Sequence, residues 1–101
     1  MGLSEMKKYQ ATIKFRMSDD FMQLIPDHRE YINSLIEDNI IDQYAVTMES
    51  QTIWITFSAK NKRDVKKYLS GSPLFKYWKF QVNELVVVDG QLHRLPAVQL
   101  N

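Results

Sequence analysis

The spacing of apolar residues along this chain changes repeatedly, and the order of those changes limits the folds open to it. From Tyr9 to Met17 the pattern alternates. Tyr9, Ala11, Ile13, Phe15 and Met17 share one face; Gln10, Thr12, Lys14 and Arg16 share the other. Period two, rich in aromatic and β-branched residues, predicts a strand with one buried face. Ser18-Asp19-Asp20 then reads as a helix start, because a Ser or Asp side chain caps free N–H groups and acidic residues favour the positive end of the helix dipole. Phe21, Ile25, His28, Ile32, Leu35 and Ile36 recur at helical spacing as one stripe. Pro26 belongs in a first turn rather than a helix interior. The reading is therefore a short turn before Pro26 and a main helix from about Pro26 to Asp38. Asn39 suits a left-handed cap.

A second strand spans Ile40 to Glu49 with weaker alternation: Tyr44, Val46 and Met48 on one side, Gln43, Ala45 and Thr47 on the other. After the turn Glu49-Ser50-Gln51, Thr52 to Ser58 alternates again, with Ile53, Ile55 and Phe57 opposite Thr52, Trp54 and Thr56. So short a connection predicts an antiparallel hairpin. Asn61-Lys62-Arg63-Asp64 resembles a capping box, and Val65, Tyr68 and Leu69 supply the stripe of a second helix. Gly71 and Pro73 end it. Leu74 to Tyr77 leads into a fourth strand, Trp78 to Val88. Asp89-Gly90 signals a hairpin returning over Gln91 to Arg94. The order β-α-β-β-α-β is the split βαβ arrangement, an α+β fold of ferredoxin-like type with an added C-terminal hairpin. Residues 1–7 read as a disordered or tag-like tail, 8–95 as a single domain and 96–101 as a second tail. The helices cover Ile13, Phe15, Ile53, Ile55 and Phe57. The opposite face, with Lys14, Arg16, Gln43, Trp54 and Gln81, is neither plainly polar nor plainly core, as in a face that meets a partner subunit.

Composition narrows the function classes. The 101 residues carry 13 basic and 12 acidic side chains, a net charge of +1. That balance gives no general drive toward nucleic acid or anionic membranes. No cysteine is present, so disulfides, thiolate metal sites and thiol nucleophiles are excluded. No apolar run approaches the roughly 20 residues of a membrane-spanning helix, and the first six residues lack the apolar centre of a signal peptide. The expectation is a soluble cytoplasmic domain, small enough to favour an oligomer.

His28 is the first candidate for chemistry. It falls on the sheet-facing stripe, three residues after Ile25 and four before Ile32, and an imidazole can take and return a proton near neutral pH. A buried histidine satisfied by backbone is the alternative. Asp27, Asp42 and Glu49 are the carboxylates that could orient it, although Asp27 points about 100° away around the helix. Lys14, Arg16 and Trp54 form a second candidate on the open sheet face, where cations beside an indole could hold a small carboxylate; packing at a dimer interface, where Trp and Arg are enriched, is the favoured alternative. Tyr77 and Trp78, with Phe75 and Phe80, could wall an apolar pocket or simply belong to the core. Tyr31 and Tyr44 raise the same question. Lys60, Lys62, Arg63, Lys66 and Lys67 read as a solvated basic face of the second helix. His93 has no partner at metal-ligand spacing, and no phosphate loop or nucleophile motif occurs. No metal and no cofactor are expected.

The stretch Ser72-Pro73-Leu74-Phe75-Lys76-Tyr77-Trp78-Lys79-Phe80-Gln81-Val82 resembles the Pro-Leu-Phe-x-Tyr-(Met/Trp) segment before the last strand of muconolactone isomerase-like proteins. The resemblance extends over roughly Lys8 to Arg94, with the Asn39 turn where those proteins end a helix at Glu-Gly. It implies a dimeric α+β barrel, shared with YciI-like proteins, in which two sheets pack face to face. It also implies cofactor-independent proton movement within an unsaturated lactone. YciI-like proteins carry a His near position 28 thought to pair with an Asp, whereas the isomerase has a carboxylate there, so His28 departs from the isomerase pattern.

Three readings are open on these grounds. The first is a small acid/base enzyme acting on an organic acid or lactone, with His28 as proton carrier. The second is a non-catalytic small-molecule-binding or assembly protein of the same fold, working as a homodimer or higher homo-oligomer. The third, RNA binding, shares the β-α-β-β-α-β order, but the third strand lacks the glycine-aromatic pattern it needs.

Overall fold

A computed structural model describes residues 6–89. The expected terminal hairpin beyond Asp89, with His93 and Arg94, and both tails apart from Met6 and Lys7 lie outside the described residues. The strands are β1 (Lys7–Lys14), β2 (Ile41–Thr47), β3 (Thr52–Ala59) and β4 (Lys79–Leu85). The helices are α1 (Asp19–Gln23), α2 (Ile25–Glu37) and α3 (Lys62–Ser70), and a 3-10 turn occupies Phe75–Tyr77. The strands form one antiparallel sheet in the order β2-β3-β1-β4, consistent with a ferredoxin-like α+β fold.

The alternation in β1 and β3 places the core. Ile13 lies opposite Ile53 and Ala11 opposite Ile55, so their side chains share the helix-facing side. Tyr9, Ala11, Ile13, Ile53, Ile55 and Phe57 are all buried, together with Ile32 and Leu35 from α2 and Val65 and Leu69 from α3. Each large aliphatic side chain so buried contributes about 1.5–3 kcal/mol. Ile36, expected on the same stripe, is 41% exposed at the margin of α2.

The helix ends obey the capping chemistry. Ser18 Oγ accepts the Phe21 N–H at 3.1 Å, and Asn61 Oδ1 accepts that of Asp64 at 2.8 Å. Pro26 sits in the first turn of α2, with α1 as a separate five-residue helix before it. Asn39 adopts φ 64°, the left-handed conformation expected of it. Gly71 is the C-cap of α3 and is required there by close packing. Its φ is −76°, which any residue adopts, but a Cβ there would collide with the ring and hydroxyl of Tyr31.

The strands differ from the sequence reading in their limits and in one bulge. β1 stops at Lys14 because its partner β3 begins at Thr52; beyond it, the Phe15 N–H still reaches the Gln51 carbonyl at 3.1 Å. β4 runs from Lys79 to Leu85 rather than from Trp78 to Val88, since the ladder with β1 is exhausted at the Lys8–Leu85 pair. Val86, Val87 and Val88 are left 94%, 72% and 50% exposed. β2 carries a bulge between Ile41 and Gln43, which explains its weak alternation. An extra residue on one strand shifts the parity of the residues after it. Ile41 and Tyr44 therefore both face the helices although three positions apart.

Candidate functional site

Helix α2 presents His28 toward the sheet, one turn before Ile32 on the buried stripe. The residue is 2% exposed. Both ring nitrogens are engaged: Nδ1 lies 2.7 Å from Ser72 Oγ and Nε2 lies 2.8 Å from the Tyr44 hydroxyl. Trp78 packs edge-on against the imidazole, with centroids 5.6 Å apart and planes at 87°. Ser72 is itself buried, and its Oγ accepts the Leu74 N–H at 3.0 Å.

These bonds order the protons. Among the described residues, the Ser72 hydroxyl has no acceptor other than His28 Nδ1, so it donates there. The neutral imidazole then carries its proton on Nε2 and donates it to the Tyr44 oxygen. Tyr44's own hydroxyl proton is left free to meet a ligand. Burial, with a smaller effect from the Arg29 cation, lowers the His28 pKa from 6.5 to about 4. The ring is therefore neutral at pH 7. Burial raises the Tyr44 pKa, against the opposing pull of Arg29, whose guanidinium carbon sits 5.3 Å from the Tyr44 ring centroid.

The chain Ser72–His28–Tyr44 ends at a cavity of about 140 Å³. Phe15, Phe21, Ile25, Ile53 and Leu74 form its apolar body, and Met17, Val46 and Met48 complete the wall. His28, Arg29 and Tyr44 are its polar residues. Phe15 and Phe21 stack at 5.1 Å, which holds one wall flat. Apolar walls with a few convergent polar groups are the usual form of a small-molecule site.

None of the carboxylates considered for His28 is a partner in this network. Asp42 accepts from Lys8 Nζ at 2.6 Å and from Ser58 Oγ at 3.1 Å, because the bulge turns it toward the open face. Asp27 and Glu49 are exposed. Hydroxyl groups orient the imidazole instead. Ser72 was missed as its partner; the signal available in the sequence was a small polar residue next to Pro73, inside the stretch that carried the resemblance.

The other candidates separate into two places. Trp78 is buried against His28, and its Nε1 has no hydrogen-bond partner among the described residues. Tyr77 packs edge-on against Phe21 at 5.7 Å and faces a second, more open cleft of about 360 Å³ with Lys14, Phe15, Arg16 and Lys79. Trp54 is not part of it. It lies on the open sheet face opposite Thr12 and Ala45, 37% exposed, and is the aromatic residue the described strands present there. Among the described residues, no three His, Asp or Glu side chains come together as a metal-binding group. No helix among them is long and apolar enough to cross a membrane.

No family model and no curated protein matches the chain. Among solved structures it is similar to the crystal structure of MtbAldR, with a TM-score of 0.52 and 11% identity. The match covers 82% of this chain and 56% of that one. At that identity the likeness concerns the fold alone.

Proposed function

We propose that this chain is a small-molecule-binding domain of ferredoxin-like fold, acting in the cytoplasm as a homodimer with sheets packed face to face. The cavity beneath α1 and α2 takes a ligand with a compact apolar body and one polar end. The observation that carries this reading is the Ser72–His28–Tyr44 chain at the polar end of an otherwise apolar cavity. A cavity near 150 Å³ is large enough for benzene. The Tyr44 hydroxyl then donates to the ligand's acceptor, and Arg29 favours a carboxylate. His28 is a positioning residue. With a pKa near 4 and both nitrogens engaged, it is a weak proton acceptor at pH 7. The mixed open face around Trp54 supports the second copy.

A second reading keeps the muconolactone isomerase-like acid/base enzyme acting on a small organic acid or lactone. Its support is that the resembling stretch itself supplies Ser72, Leu74 and Trp78 around His28. In that reading the proton passes through Tyr44 to the substrate.

Benzoate titration followed through the methyl signals of Met17, Val46 and Met48 tests the site. Saturable shifts are expected, with affinity about tenfold weaker in Tyr44→Phe. Absence of shifts at millimolar benzoate removes the binding reading. Solvent-deuterium exchange into a small unsaturated acid, present in the wild type and lost in His28→Gln, would favour the enzyme.

A further inference from the structure

The second cleft lies across Phe15 from the apolar cavity, and its chemistry differs. Lys14 is the last residue of β1 and Lys79 the first of β4, and the two are direct cross-strand partners. Like charges in such positions repel. Arg16 and Tyr77 complete the cleft with Phe15, and Lys76 Nζ stands 5.4 Å from the Tyr77 ring centroid. Four cations thus gather at one end of the sheet. Among the described residues, the ion pairs are Lys7 with Glu84 and Lys8 with Asp42, both at the other end of β1. Lys14 Nζ donates to Thr52 Oγ1 at 2.7 Å, a neutral acceptor, and no described carboxylate compensates its charge. Asp19 and Asp20, three and four residues beyond Arg16, open helix α1 and form no ion pair with these cations.

We propose that this cleft is a binding site for a doubly charged oxyanion, a phosphate group or a small dicarboxylate, held by Lys14, Arg16 and Lys79 against the Tyr77 ring. The site is independent of the apolar cavity. An anion offers what the fold itself leaves out, a counter-charge shared between Lys14 and Lys79, and Arg16 can engage two of its oxygens at once. The aromatic walls of Phe15 and Tyr77 leave space for an apolar portion beyond the charged group.

Titration of the full chain at about 20 mM salt with inorganic phosphate, succinate and acetate tests the proposal, read from amide shifts at Phe15, Arg16 and Tyr77. Phosphate or succinate is expected to shift these signals saturably, with acetate at least about tenfold weaker. Preference for phosphate assigns a phosphoryl ligand, and preference for succinate a dicarboxylate; both support the site. The double variant Lys14→Gln/Lys79→Gln should weaken binding about tenfold or more. Lys62→Gln/Lys66→Gln on α3 removes the same charge elsewhere and should change it little. The variants at the cleft should also unfold at a temperature no lower than the wild type without anion, because they remove repulsion. Absence of saturable shifts, or equal loss in both double variants, overturns the proposal.

Discussion

Acidification should destabilise this fold through one residue, His28. Its imidazole is neutral when buried, with a pKa near 4, and recovers its ordinary 6.5 when the chain unfolds. At about 1.4 kcal/mol per pH unit, that gap is worth roughly 3–4 kcal/mol in full, of which about 3 is lost by pH 4, where the folded ring is half protonated. Proton counting gives the sign. Above pH 6.5 the ring is neutral in both states, and its full contribution is present. Between pH 6.5 and about 4 the unfolded chain binds a proton that the folded one refuses, so stability falls as pH falls. Below about pH 4 both states are protonated and the loss is complete. The side chain is 2% exposed, so little solvent screening reduces the effect. Urea unfolding of the wild type and His28→Gln between about pH 7.5 and pH 4 isolates it, because carboxylate titrations are common to both proteins. The stability gap between wild type and variant should shrink by about 3 kcal/mol across that window. Parallel curves would refute both the depressed pKa and the neutral Ser72–His28–Tyr44 chain.

Two further perturbations probe the same region. Ser72→Ala leaves His28 Nδ1 and the Leu74 N–H without their partner; a loss of about 2 kcal/mol or more is expected in urea unfolding. The proton on His28 should then no longer be confined to Nε2 in long-range nitrogen–proton NMR spectra. Gly71→Ala forces the Tyr31 ring away and strains its 2.6 Å bond to the Tyr68 carbonyl, at about 1–3 kcal/mol. Adding Tyr31→Ala should recover part of that loss, and a strictly additive double variant would argue against the collision.

How sharply each feature could be read from the sequence varied with the range of the interaction that set it. Ser18, Asn39 and Asn61 act on backbone groups within a few residues, and their roles could be read directly from neighbouring positions. The β1 and β3 alternation was equally plain because each strand has one face fully buried. β2 was less legible because its bulge depends on pairing with β3, a relation between segments rather than within one. The same bulge moved Asp42 away from the histidine and brought Tyr44 to it. Helical spacing puts His28 on the correct face, but the sequence points to carboxylates as partners only by their type; the hydroxyl that holds Nδ1 comes from Ser72, 44 residues away.

Periodicity and capping chemistry alone therefore determined the element order, the core of the central strands and the inward aim of His28. These depend on local backbone geometry and on which face of an element is apolar. Tertiary structure decided which groups satisfy the imidazole, which face of β2 meets α2, and that Lys14, Arg16, Lys79 and Tyr77 share a cleft while Trp54 stands apart. The reason is that a buried polar group must be paired. Several side chains in this sequence could have met that requirement for His28, and only the packing of α2 against β2 and the Ser72 turn brings one particular pair within hydrogen-bond distance.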